Sequence, residues 1–176
     1  FEVDARDLLR IMPERSHVVG HSIGALSALV AAAWAPERFA SLVLIAAAAA
    51  SLQTDDPEVQ HARALARGYL RGDPSAREGF LKMAALPLDH PETARIETAA
   101  RKLRDPGEAT PELEALSKQQ VPTVVVSGEH MPGIERQCDA LAEQLGAVRW
   151  RLKGAGHAVQ RHPEFNGRLL EFLKAM

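Results

Sequence analysis

Short apolar runs alternate along the chain with stretches whose hydrophobic positions recur at helical spacing. Val3, Leu8, Leu9 and Met12 fall partly on one face of a helix over 3–12, which Pro13 stops. HVVG at 17–20 is β-branched and apolar, and the pattern then switches at once to the small, helix-forming IGALSALVAAAWA. Residues 17–35 are therefore predicted as strand, turn and helix. After Pro36, SLVLIA at 41–46 is a continuous apolar run of strand length, as a parallel strand covered on both faces requires. Residues 122–127, PTVVVS, repeat that character and lead through the polar turn GEHMPG into a helix from about Ile134 to Leu145. Ala147 to Leu152 reads as a less apolar edge strand; the loop GAGHA follows, and Pro163 opens a last helix through Leu173. This alternation predicts an α/β fold: a parallel sheet with flanking helices and right-handed crossovers.

Between Leu52 and Gln120 no stretch has the character of a core strand. Helix starts recur instead, at Asp56-Pro57-Glu58, Asp73-Pro74, His90-Pro91-Glu92 and Thr110-Pro111-Glu112. Asp or Thr at such a start accepts a backbone N–H, and Pro at the first helical position gives up a donor that had no partner. Leu65, Leu70, Phe80, Leu81, Met83, Ile96 and Leu103 supply a buried stripe for each helix. The predicted organisation is a core of 1–51 and 121–176, with 52–120 a helical insertion over the sheet.

Composition narrows the function classes. The 176 residues, 46% hydrophobic and 25% charged, suit one domain with its own core, which needs no metal or disulfide framework. Lys+Arg 21 against Asp+Glu 23 gives a net charge of −2 without a basic block, so nucleic acid and anionic membranes are not expected partners. Cys138 is the single cysteine, which fits a reducing compartment and offers no zinc ligand set. FEVDARDLLRIMP has acids where a signal peptide needs a basic stretch, and the longest apolar run, Leu42 to Ala50, is nine residues, short of a membrane span. A soluble cytoplasmic protein with a small-molecule partner is expected.

The candidate chemistry sits at Gly20-His21-Ser22-Ile23-Gly24, a G-x-S-x-G turn between an apolar strand and a small-residue helix. Flanking glycines keep such a turn free of collisions and present Ser22 Oγ in the open, while the N–H of Ile23 at the helix start is placed to stabilise an oxyanion. His157, in the glycine loop after the last strand, emerges at the same carboxyl edge of a parallel sheet as Ser22. A neutral imidazole there can take the serine proton and return it to a leaving group. His61, His90 and His162 read as solvated surface, His130 as a loop residue and Cys138 as packed core. Trp34, Phe39, Phe165 and Phe172 fit helix–sheet packing.

These residues carry a resemblance. GHSIG is similar to the nucleophile elbow of the α/β-hydrolase superfamily, APERFASLVLI to the next helix end and strand, VPTVVVSGEH to the strand carrying the acid, and GAGHAVQRHPEFN to the histidine loop and final helix. The likeness covers all but 52–120, which corresponds to the family's variable cap, and the 135 positions between Ser22 and His157 leave room for it. Two departures stand out. The family's sheet begins four strands earlier and draws its second oxyanion donor from a loop after the third, so the elbow strand is expected at a bare edge, with the missing half on a longer chain or supplied by another. The family's acid is expected two or three residues past Gly128, where Met131 stands and can neither accept the histidine's second N–H nor stabilise an imidazolium. Glu129, the Asp55/Asp56 pair or no acid at all remain as alternatives.

The resemblance implies a serine hydrolase acting on a small apolar carboxylic ester or related acyl compound. Ser22 would be the nucleophile, His157 the base and Ile23 an oxyanion donor, with His21, Phe80, Met83 and Met131 as substrate-binding residues. It implies no cofactor and no metal. Met131 keeps a second expectation open, a non-catalytic small-ligand binding member, and the elbow does not separate an esterase from a C–C bond hydrolase.

Overall fold

In the computed structural model, residues 1–49, 51–86, 88, 91–100, 102 and 104–176 are described, Ile96 by its backbone alone. His90, Leu103 and the Ile96 side chain, named above, lie outside the described residues. The apolar runs form four parallel strands, β1 (Ser16–His21), β2 (Phe39–Ile45), β3 (Thr123–Ser127) and β4 (Val148–Arg151), paired in that order. Successive side chains of a strand point to opposite faces, and both faces of β2 and β3 are covered. Leu42, Leu44 and Val125 join the core on one face, while Val43, Ile45, Val124 and Val126 join Leu152, Val159 and Phe165 on the other. β1 and β4 are the edges, and Val19 of β1 is 45% exposed.

Helix α1 (Glu2–Ile11) buries Ala5 against α2 (Ile23–Trp34), whose Ala25, Ala28, Ala31 and Ala32 are all buried. A helix apolar all round belongs in a core, and α2 is packed by α1, β1, β2 and the later helix α6. The 52–120 segment contributes α3 (Pro57–Leu70), α4 (Pro74–Met83), α5 (Thr93–Ala100), a 3₁₀ turn at Pro106–Ala109, and α6 (Thr110–Leu116). Asp56 caps α3 by accepting the N–H groups of Glu58 and Val59, and Asp73 caps α4 through Ser75. Thr110 does not cap α6. Its hydroxyl donates to Gly107 O at 2.6 Å, and Asp105 instead starts the preceding 3₁₀ turn by accepting the Gly107 N–H.

This segment has a small core of its own. Tyr69 of α3 stacks on Phe80 of α4, ring centroids 4.2 Å apart, with Ala76, Leu81 and Ala100 around them. Leu113 and Leu116 of α6, by contrast, pack in the larger core with α2. Helix α7 (Pro132–Leu145) begins two residues earlier than expected because Pro132 occupies its first position, and α8 (Phe165–Lys174) begins two residues after Pro163, following a turn in which the Phe165 N–H bonds to His162 O. Phe39 and Phe165 are buried, but Trp34 stands 39% exposed with the Arg6 guanidinium 5.7 Å from its ring. Cys138 is buried, and burial pushes its thiol up to about 12. Among the described residues no helix is long and apolar enough to cross a membrane.

Candidate active site

The turn from β1 into α2 forces Ser22 to φ 54°, ψ −123°, a backbone that a residue with a Cβ rarely adopts. It is pinned there: the Ser22 N–H donates to Ile45 O at 2.8 Å, and its carbonyl accepts the Ala25 N–H at 3.0 Å. A side chain at Gly20 would meet Ala25 Cα at 2.6 Å and Gly24 O at 2.7 Å, so the helix can approach the strand only over a glycine. Gly24 differs from expectation, for a Cβ there would meet nothing within 4 Å. Its face of the first turn is exposed. Ile23 opens α2, and its N–H is among those a helix leaves without an internal partner.

The histidine loop is held against the end of β3. Gly156 N–H donates to Gly128 O at 2.7 Å, and a Cβ on Gly128 would stand 2.4 Å from Gly156 O. Gly154 and Gly156 both have positive φ, at 72° and 66°. His157 then lies between two other imidazoles, its ring centroid 4.7 Å from His21 and 4.9 Å from His130. His21 Nε2–H donates to the His157 carbonyl at 2.9 Å, and His130 Nε2–H donates to Met83 O at 2.6 Å. Both neighbours are thus tied to backbone. No group of three or more His, Cys, Asp or Glu side chains is set to hold a metal ion among the described residues. Nδ1 of His157 is buried and without a hydrogen-bond partner. Burial first, then the charges His21 and His130 can carry, push His157 down to about 4.

None of the three carboxylates considered from sequence is hydrogen-bonded to His157 Nδ1. Glu129 sits in the left-handed region at φ 60°, and its carboxylate accepts the Gly154 N–H at 3.3 Å. Asp55 is exposed in the turn before α3. Asp56 is committed to the α3 cap and to Arg136 of α7, whose guanidinium holds it below the usual carboxylate range. One carboxylate that sequence reading passed over does organise this end of the sheet. Glu135 accepts the Ser127 hydroxyl, the Glu129 N–H at 2.9 Å and the Arg149 guanidinium at 3.0 Å, which fixes the turn leading to Met131.

Ser22, Ile23 and His157 open on one cavity of about 170 Å³ beneath α3 and α4. Phe80, Met83 and Met131 line it, whereas His21 lies behind His157 and is not on its wall. His130, Gln137 and Arg63 are also on the lining, and none of them was expected. Their places depend on contacts between distant segments, which no local pattern announces.

A sequence model of the alpha/beta hydrolase family matches residues 1–165. The chain belongs to that family. As an alpha/beta hydrolase chain it has its serine turn, its turn after β3 and its histidine loop in the order 22, 129–131 and 157. Its fold is similar to a carboxylesterase of the thaumarchaeon Nitrososphaera gargenis, at 16% identity and a TM-score of 0.61 over 97% of this chain and 70% of that one. Carboxylesterase CesB (YbfK) of Bacillus subtilis aligns at 22% identity and 0.60, over 97% of this chain and 64% of that one. The 2-hydroxy-6-oxo-6-phenylhexa-2,4-dienoate hydrolase of Rhodococcus sp. strain RHA1 aligns at 21% and 0.59, over 92% and 64%. This alpha/beta hydrolase chain thus spans less than two thirds of the length of the last two. No curated protein matches it in sequence.

Proposed function

We propose that the protein is a serine hydrolase of a small apolar carboxylic ester or related acyl compound, with 52–120 as the cap over its site. The observation that carries this reading is the strained backbone at Ser22 opening on the same apolar cavity as a half-buried, uncharged His157. His157 takes the Oγ proton as Oγ attacks the substrate carbonyl carbon, and the Ile23 N–H receives the developing oxyanion. Collapse breaks the ester bond, and the proton passes from His157 to the departing alkoxide. Water then attacks the acyl-serine, giving its proton to His157, and the carboxylic acid leaves as Ser22 is reprotonated. The two carboxylesterases of similar fold support the ester class, and the single buried Cys138 supports a reducing compartment.

The unpartnered Nδ1 of His157 favours a second reading, a ligand-binding protein that keeps the cavity without turnover. A fluorophosphonate probe separates the two. On the protein expressed from its intact gene, an adduct located on Ser22 by peptide mass spectrometry, and missing in Ser22→Ala, is the result expected. No adduct on folded protein would overturn the hydrolase reading.

A further inference from the structure

Helix α3 turns one stripe to the cavity, Val59, Ala62, Arg63, Ala66, Arg67 and Leu70, at spacings of three and four residues. The stripe is apolar except for its two arginines. Arg67 has Asp105 Oδ2 at 3.5 Å, and Arg104, also on the wall, is paired with Glu108 at 2.7 Å. Two further donors there are engaged as well: Gln137 Nε2 donates to the carbonyls of Ala49 and Leu52, and His130 Nε2 donates to Met83 O. Arg63 is different. It is half-buried on the lining, and it makes no hydrogen bond or ion pair among the described residues. Three arginines thus line the cavity, and among the described residues the one carboxylate on its wall, Asp105, is already shared between Arg67 and the Gly107 N–H.

A half-buried cation without a counter-charge among the described residues is open to an anionic partner, and a guanidinium presents a planar fork that matches a carboxylate. We propose that Arg63 binds a carboxylate on the substrate, remote from the carbonyl that Ser22 attacks. The substrate class is then a half-ester of a short dicarboxylic acid, its apolar middle lying along Ala62 and Ala66. One free cation on this wall among the described residues suits a monoanion; a phosphate dianion would need more positive charge than these residues leave uncommitted. This assignment rests on the hydrolase reading for the reacting end of the substrate, but its test does not require turnover.

Calorimetry on the full-length protein compares adipic acid monomethylamide with N-methylhexanamide, two amides that differ by the remote carboxylate. The acid is expected to bind about tenfold more tightly or better, as a charge-assisted pair allows. Arg63→Gln is expected to bring the two affinities together, and Arg63→Lys to keep part of the preference. Equal binding of both amides by the unaltered protein, no binding of the acid, or a preference that survives Arg63→Gln would each overturn the proposal. A carboxylate preference without a Ser22 adduct would retain Arg63 and remove the hydrolase, and an adduct without the preference would do the reverse.

Discussion

His21 donates its Nε2–H to the main-chain carbonyl of His157 over 2.9 Å, so the residue before Ser22 anchors the loop that carries His157. The same ring, with His130 on another side, flanks His157 with groups whose positive charge would oppose a proton on it. Burial first, and then these neighbours, hold His157 down at about 4 and uncharged at neutral pH, as the proposed hydrolase requires of its base, while no carboxylate is bonded to its Nδ1 to steady an imidazolium.

This arrangement sets the pH dependence. In the proposed hydrolase turnover needs the uncharged imidazole, so kcat/KM is expected to fall as pH drops through about 4, not through the ordinary 6.5. Stability has the same sign. The unfolded chain takes up a proton on His157 at 6.5 and the folded one only at about 4, so stability is full above 6.5 and declines between those values. Urea midpoints at pH 7.5 and 4.5 check this, with His157→Gln expected to show a smaller difference between the two.

Met131→Asp places a carboxylate on the cavity wall and at the N-cap of α7, where helix N–H groups welcome it. In the hydrolase reading kcat/KM rises by about tenfold or more, and its acid limb moves up from about 4 toward neutrality because the new charge favours imidazolium. An unchanged rate and an unmoved limb in a folded variant would place the missing acid elsewhere.

The two elbow glycines are expected to behave differently. Gly20→Ala drives a methyl group into the backbone of α2 and is expected to cost about 2–4 kcal/mol. Gly24→Ala meets open space and stays within about 0.5 kcal/mol. Chemical denaturation of both variants measures the contrast.

Arg149 of β4 donates to the Ser127 hydroxyl, Glu135 and Asp139 while its side chain is only 15% exposed. Arg149→Met leaves Glu135 in the same partly buried space with only the more distant Arg151, 4.0 Å away, as its cation, at a cost of about 2 kcal/mol. The loss is read from the urea midpoint, and because Glu135 also holds the Glu129 N–H, binding in the cavity next to Met131 is expected to weaken with it.

The sheet was legible because β2 and β3 are buried on both faces, which leaves unbroken runs such as SLVLI and TVVVS. Asp56 and Asp73 announced their helices through capping chemistry that is local in sequence. Pro132 was legible as a break but not as a beginning, since a proline in a polar turn and a proline in a first helical turn have the same composition around them. Ser22 and His157 stood out through their glycines. The packing of His21 and His130 on His157 did not, because it joins the ends of three strands across more than a hundred residues of chain. Arg149 was read as part of an edge strand, and its inward partners belong to α7 and β3.

At Gly128 the main chain of the His157 loop comes where a side chain would otherwise stand. The stretch that follows β3 and the stretch that follows β4 are therefore halves of a single fitted joint. A residue added to either has nowhere to go unless the other shifts, so loops grafted from a relative into 128–131 and 153–157 have to be exchanged as a pair.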